Sequence, residues 1–262
     1  MSLNSNTVLV DSHAHVDDTR LMPDRDNVLD AARKNNIAAQ IVPAVSRQHW
    51  PRLKLLCDAN NDLHPCYGLH PGYYAEHTDN HVQELAQWLG KEPAVAVGEC
   101  GLDYAIAGAD KAHQQHLFSA QLALAREFNL PVVIHAVKAV EDVIRMIRAS
   151  GHYRGMVHSF NGSAQQASRL IDLGYMLSFG GAVTYSRAKR LQTLVTNLPL
   201  DALLLETDSP DQPPSNYPGQ RNEPAYLVDI WQSISALRTE DAETVAAKTT
   251  ENACQLFDLP AF

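Results

Sequence analysis

Eight short apolar runs, each closed by glycine, proline or a polar cluster, alternate along this chain with longer stretches of helical periodicity. They are Thr7 to Asp11, Ile37 to Val42, Pro65 to Leu69, Ala94 to Gly98, Pro131 to Ile134, Gly155 to Val157, Gly174 to Phe179 and Ala202 to Glu206. Their length and bounding residues read as buried strands. The clearest helix is predicted at 111–129, where Leu117, Ala120, Leu124 and Phe128 recur at spacings of three and four, with Gln114, Gln115 and Arg126 on the wetter side. With 262 residues, 45% apolar and 19% charged, there is chain enough for one sizeable core. No composition break, fixed-period repeat or low-complexity segment divides it, so one domain over 1–262 is expected. Strand and helix alternating eight times predict the α/β class and a single (β/α)8 TIM barrel. A doubly wound open sheet is the alternative. It would normally show a Gly-rich first turn, whereas the first strand here ends in Asp11-Ser12-His13-Ala14-His15.

The prolines and glycine of 209–224 forbid regular structure, which predicts an ordered loop at the barrel mouth with Asn222 capping the next helix. A final packing helix is expected from Glu240 to Phe257. A formal charge of −9 opposes broad binding of a polyanion and excludes a general basic DNA-coating protein. Cys57, Cys66, Cys100 and Cys254 form no Cys-x-x-Cys pair, and no charged-then-apolar leader precedes the first strand, so a reduced, cytoplasmic location is expected. No apolar run approaches the roughly 20 residues a bilayer requires, which excludes a membrane span.

The chemistry is concentrated at strand ends. His13 and His15 lie two apart, so a strand presents both on one face; alone they fit a metal pair or two surface histidines equally. The other strands, however, end in Val97-Gly98-Glu99, Val133-Ile134-His135, Met156-Val157-His158 and Leu205-Glu206-Thr207-Asp208. A parallel barrel gathers these carboxyl ends around one opening. Six polar groups there would cost several kcal/mol in desolvation unless something bound them. Four imidazoles and two carboxylates suit two divalent cations: His13, His15, Glu99 and Asp208 for one, Glu99, His135 and His158 for the other, with Glu99 bridging. Mixed nitrogen and oxygen donors fit zinc, manganese, cobalt, nickel or iron, and magnesium less well. A water between two such cations becomes a nucleophile near neutral pH, and Asp208 is the expected base, with simple ligation as its other role. Asp11 and Glu206, each two residues before a ligand, should support the metals from beneath. Asp103 reads as a turn aspartate that could anchor its loop. Lys138, Tyr185, Arg187 and Arg221 are the nearest groups for phosphate.

Seven segments in order make a specific resemblance: Asp11-Ser-His-Ala-His15, Gly68-Leu-His-Pro71, Gly98-Glu-Cys-Gly-Leu-Asp103, Val133-Ile-His135, His158-Ser-Phe-Asn-Gly-Ser163, Leu205-Glu-Thr-Asp-Ser-Pro210 and Arg221-Asn222. Along its whole length the chain resembles the TatD-type metal-dependent hydrolases of the amidohydrolase-like barrels, and within them the YjjV branch. The resemblance implies a TIM barrel with a divalent metal centre on the six ligands named, a metal-dependent deoxyribonuclease activity often acting from the 3′ end, and a substrate-handling, catalytic role for His70. Two departures stand out. The family often places arginine two residues beyond the strand-five histidine, where this chain reads His135-Ala-Val-Lys138, and aromatic and arginine residues after Gly-Leu-Asp, where it reads Tyr104-Ala-Ile-Ala-Gly108. Both remove a guanidinium able to grip phosphate through two bonds. The expected partners are therefore DNA ends or a small-molecule substrate, with no membrane and no obligate protein partner. An amidohydrolase or esterase using the same centre is the alternative activity, and a metal-binding protein without turnover a third.

Overall fold

The computed structural model describes residues 7–262; the first six, on which the leader-free reading partly rests, lie outside the described residues. Among the described residues, parallel strands β1 (Leu9–Asp11), β2 (Ile37–Pro43), β3 (Leu63–Tyr67), β4 (Ala96–Asp103), β5 (Val132–Val137), β6 (Gly155–Val157), β7 (Tyr175–Phe179) and β8 (Leu203–Leu205) follow one another in one sheet in sequence order. Helices α1 (Arg25–Lys34), α2 (Trp50–Asp58), α3 (Asp79–Leu89), α4 (Lys111–Glu127), α5 (Val140–Ser150), α6 (Ala164–Asp172), α7 (Lys189–Asn197), α8 (Leu227–Ser235) and α9 (Ala242–Phe257) alternate with the strands or close the chain. The fold is the (β/α)8 TIM barrel that the alternation predicted. Among the described residues no helix is long and apolar enough to cross a membrane.

The chain clusters into two compact units, Pro43–Met176 and the residues up to Val42 together with Leu177–Phe262. In the first, β4 is paired on both sides, with β3 through Cys66↔Ala96 and with β5 from Val97↔Val132 to Asp103↔Val137. That second pairing carries β4 five residues past its expected end at Gly98 and lengthens β5 to Val137, which brings Asp103 into the strand. Val97, Cys100, Val132, Ile134 and Met156 are fully buried. Local signals fix the helix starts: Asp110 accepts from His113 N at α4, and Ser163 and Gln166 exchange two bonds as a capping box at α6.

In the second unit, α9 packs on β1 and β8 and also touches α8, burying Val245, Leu256 and Phe257. Its cap, Asp241, accepts from Thr244 N. β8 stops at Leu205, so Glu206–Asp208 stand beyond the strand.

Two expectations change. Gln114 is not on a wet face; it is 1% exposed and Gln121 is fully buried, because both amides bond to main chain rather than to water. Asn222 does not cap a helix. Its amide donates to the carbonyls of Thr207, Asp211 and Gln212 and so ties the 209–224 loop, while α8 begins only at Leu227 after a short 3-10 turn.

Candidate metal centre

Within Pro43–Met176 the site is built around one carboxylate. A register irregularity between Val97 and Cys100 re-aims β4 at Glu99, as bulges do. Glu99 is 1% exposed, and its Oε1 lies 3.0 Å from His70 Nε2, 3.0 Å from His135 Nδ1 and 2.9 Å from His158 Nε2. Gly101 faces His135 across the ladder with φ +134°, and a Cβ there would sit 2.1 Å from the His135 carbonyl oxygen, so only glycine allows this approach. The two carboxylates flanking Gly101 therefore bracket one ring. Glu99 meets His135 at Nδ1, and Asp103 Oδ2 lies 3.2 Å from Nε2.

Hydrogen bonds assign the tautomers. His70 Nδ1 accepts from Gly72 N, which leaves the His70 proton on Nε2, facing Glu99. His135 is turned the other way: Nε2–H donates to Asp103 and the Nδ1 lone pair faces Glu99 and His158, 3.1 Å away. His135 is thus set as a ligand and His70 as a donor. Burial alone would lower the His135 pKa, but the bond to Asp103 and the negative charge of Glu99 outweigh it and raise it; the same bond to His135 leads in lowering Asp103.

His77 holds the His70 loop. It is buried, its Nε2–H donates to the His70 carbonyl at 3.0 Å, and burial pushes its pKa down to about 4. The unfolded chain, near 6.5, takes up this proton first as pH falls. His77 therefore contributes fully above about pH 6.5, and stability should fall by about 1.4 kcal/mol per pH unit toward pH 4. Urea midpoints between pH 4.5 and 7 should show a flatter dependence in His77→Gln than in the wild type; identical slopes would refute this.

In the other unit, His13 Nε2 and His15 Nε2 are 3.1 Å apart, and Asp208 Oδ1 lies 3.5 and 3.7 Å from them. Asp208 has φ +55°, a left-handed turn just past β8, and its main-chain N donates to His13 O. Its Oδ2 accepts from Gln212 Nε2. Asp11 supports this set from within: fully buried, it accepts from His13 N, Thr207 N and Thr207 Oγ1. Burial pushes its carboxyl up to about 8 against the pull of those bonds. Glu206 is also fully buried.

The four phosphate-directed residues are placed differently. Lys138 is exposed, just past the end of β5. Arg187 is exposed and lies over the Tyr185 ring, whose hydroxyl donates to Pro213 O. Arg221 is committed elsewhere, donating to both oxygens of Asp24, to Glu223 and to Arg20 O. With Arg20 donating twice to Asp211 and to Asp18, it ties the 209–224 loop to the segment after β1.

Both donor sets fit divalent cations. Metal–nitrogen bonds of 2.0–2.1 Å in a tetrahedral shell put donor atoms roughly 3.3 Å apart. The separations within Glu99–His135–His158 are 2.9 to 3.1 Å, and within His13–His15–Asp208 3.1 to 3.7 Å. Asp103 is the functional residue that the sequence reading undervalued. Its signal was the spacing Glu99-x-Gly-x-Asp103, which on a strand puts two carboxylates on one face around a gap.

Residues 10–258 match the sequence profile of the family described as TatD related DNase. A protein of Haemophilus influenzae named an uncharacterized metal-dependent hydrolase is 39% identical over 239 residues, 88% of this chain and 91% of its own. YjjV of Escherichia coli strain K12, likewise named an uncharacterized metal-dependent hydrolase, is 35% identical over 254 residues, 96% of this chain and 98% of its own. The crystal structure of YjjV, described as a TatD homolog, is similar at a TM-score of 0.93 and 34% identity, covering 96% of this chain and 98% of that one.

Proposed function

The chain belongs to the TatD related DNase family and is a metal-dependent hydrolase, and from that premise we propose that it hydrolyses phosphodiester bonds of DNA, shortening single strands from the 3′ end. What most supports a hydrolytic centre is the convergence of His70, His135 and His158 on Glu99 Oε1. The family description favours the phosphodiester as the bond attacked.

His13, His15 and Asp208 would hold one divalent cation, and Glu99, His135 and His158 a second. When bound, these ions supply Lewis-acid polarisation of the phosphoryl oxygen and activation of water. The remaining steps belong to side chains. Asp208 accepts the proton of the attacking water at a carboxylate oxygen and passes it toward the leaving 3′ oxygen. His70, with its proton on Nε2, donates to a non-bridging phosphoryl oxygen. Lys138, three residues past His135, offers a point charge to the next phosphate. The net charge of −9 disfavours long duplexes, while a short single-stranded end needs only a few phosphates held.

A second reading, an amidohydrolase or esterase acting on a small metabolite, is favoured by the missing guanidinium two residues beyond His135, where Val137 stands, and by the engagement of Arg221 with Asp24 and Glu223. One experiment separates them. With Mn2+ or Mg2+, a 5′-labelled single-stranded oligonucleotide should shorten progressively from its 3′ end, and chelation should stop the reaction. An intact oligonucleotide alongside turnover of amide or ester test substrates would replace the first reading with the second.

A further inference from the structure

Helix α4 carries two buried glutamines seven residues apart, Gln114 and Gln121, on the face that also buries Leu117, Phe118 and Leu124. Each holds both the main-chain N–H and the C=O of one residue. Gln114 Oε1 accepts from Asp103 N at 2.9 Å and its Nε2 donates to Asp103 O at 3.0 Å. Gln121 Oε1 accepts from Leu69 N at 2.7 Å and its Nε2 donates to Leu69 O at 3.2 Å. The clamped residues are not arbitrary. Asp103 is the carboxylate against His135 Nε2, and Leu69 immediately precedes His70.

We propose that Asp103 and the two α4 glutamines are positioning residues: Gln114 fixes Asp103, Asp103 fixes the tautomer and direction of the His135 ring, and Gln121 fixes the main chain that aims His70. The geometry leaves Asp103 little freedom. Its main-chain N and O are both held by Gln114, and its Oδ1 accepts from Ala105 N at 2.8 Å, so Oδ2 is the oxygen presented to His135. A ligand histidine whose far nitrogen donates to a carboxylate is fixed in tautomer and made more basic at the near nitrogen. Buried amide-to-peptide pairs add direction, because a glutamine that shifts loses two bonds at once. This deepens the metal-dependent reading and rests on it, but not on the choice of DNA as substrate.

The test uses the full chain, with two readouts taken without substrate: the ring 15N resonances of the metal-free protein, and Mn2+ affinity by titration. In the wild type His135 should show the Nε2–H tautomer. Asp103→Leu should lose that signature and weaken Mn2+ binding about 10- to 100-fold, the range known for outer partners of ligands. Gln114→Met, close in volume but unable to pair, should shift the His135 resonances and leave those of His70 in place; Gln121→Met should do the reverse. If Asp103→Leu does not fold, Asp103→Asn decides, since it keeps the shape and loses the charge. Folded Asp103 variants with wild-type His135 resonances and Mn2+ affinity would overturn the proposal, as would glutamine variants that disturb both rings alike. Failure to cleave DNA would overturn only the substrate assignment.

Discussion

Glu99→Ala is expected to lose bound metal and hydrolytic activity together, with kcat/KM falling by about a thousandfold or more. Glu99 is 1% exposed and supplies the one carboxylate oxygen on which His70, His135 and His158 converge within 3.0 Å. Without it, a cation between His135 and His158 would face neutral nitrogens in a site shielded from water, and its affinity should drop steeply. A divalent ion contributes several kcal/mol of charge stabilisation at the transition state, and each 1.36 kcal/mol is tenfold in rate. Glu99→Gln keeps the shape and should show the same loss, which separates charge from packing. Metal per chain, measured on the purified proteins by elemental analysis, also tests the bridging role. Loss of one equivalent would put Glu99 on the His135–His158 cation alone, and loss of both is the signature of a bridge. Unchanged metal content at full activity would remove Glu99 from the centre.

Much of this was legible in the sequence because a parallel barrel writes its plan in short apolar runs. The runs placed His158 and Asp208 just beyond strand ends, as observed, whereas Glu99 and His135, expected at strand ends, lie inside the longer β4 and β5; the helix expected over 111–129 is observed at Lys111–Glu127. What the pattern could not show was pairing. β4 continues to Asp103 because Cys100–Asp103 find partners in β5, although Gly98 and Gly101 look like a strand ending. Hence Asp103 resembled a turn residue. Periodicity also treats every glutamine as a wet-face residue, yet Gln114 and Gln121 are buried because a primary amide satisfies the main-chain donor and acceptor of one residue together. A glutamine in register with leucines was the available signal. Asn222 misled for a related reason: asparagine is a good cap, but here its amide is consumed by three carbonyls of the preceding loop. Nor does sequence give a tautomer. The opposite ring settings of His70 and His135 depend on Gly72 N and Asp103 Oδ2, groups that only the fold brings to them.

Asp208→Asn is the second large expected effect, and it separates a proton acceptor from a mere ligand. The substitution suits the backbone: Asp208 sits at φ +55°, and asparagine tolerates that region better than most residues. It also keeps an oxygen that can face His13 and His15. What it removes is the charge and the ability to take a proton. Asparagine must also choose, since one oxygen cannot serve both the histidines and Gln212, as the two carboxylate oxygens do now. If Asp208 accepts the proton of the attacking water, kcat should fall by about 10²- to 10⁴-fold, with KM little changed and most of the metal retained on His13 and His15. Excess Mn2+ should not rescue it. If Asp208 only ligates, kcat and metal content should fall in proportion, and excess Mn2+ should restore the rate. Single-turnover rates measured at saturating metal distinguish the two, because a missing base slows the chemical step at full occupancy, whereas a missing ligand slows it only through the fraction of empty sites. A variant within threefold of the wild-type kcat at full metal occupancy would take Asp208 out of the proton transfer.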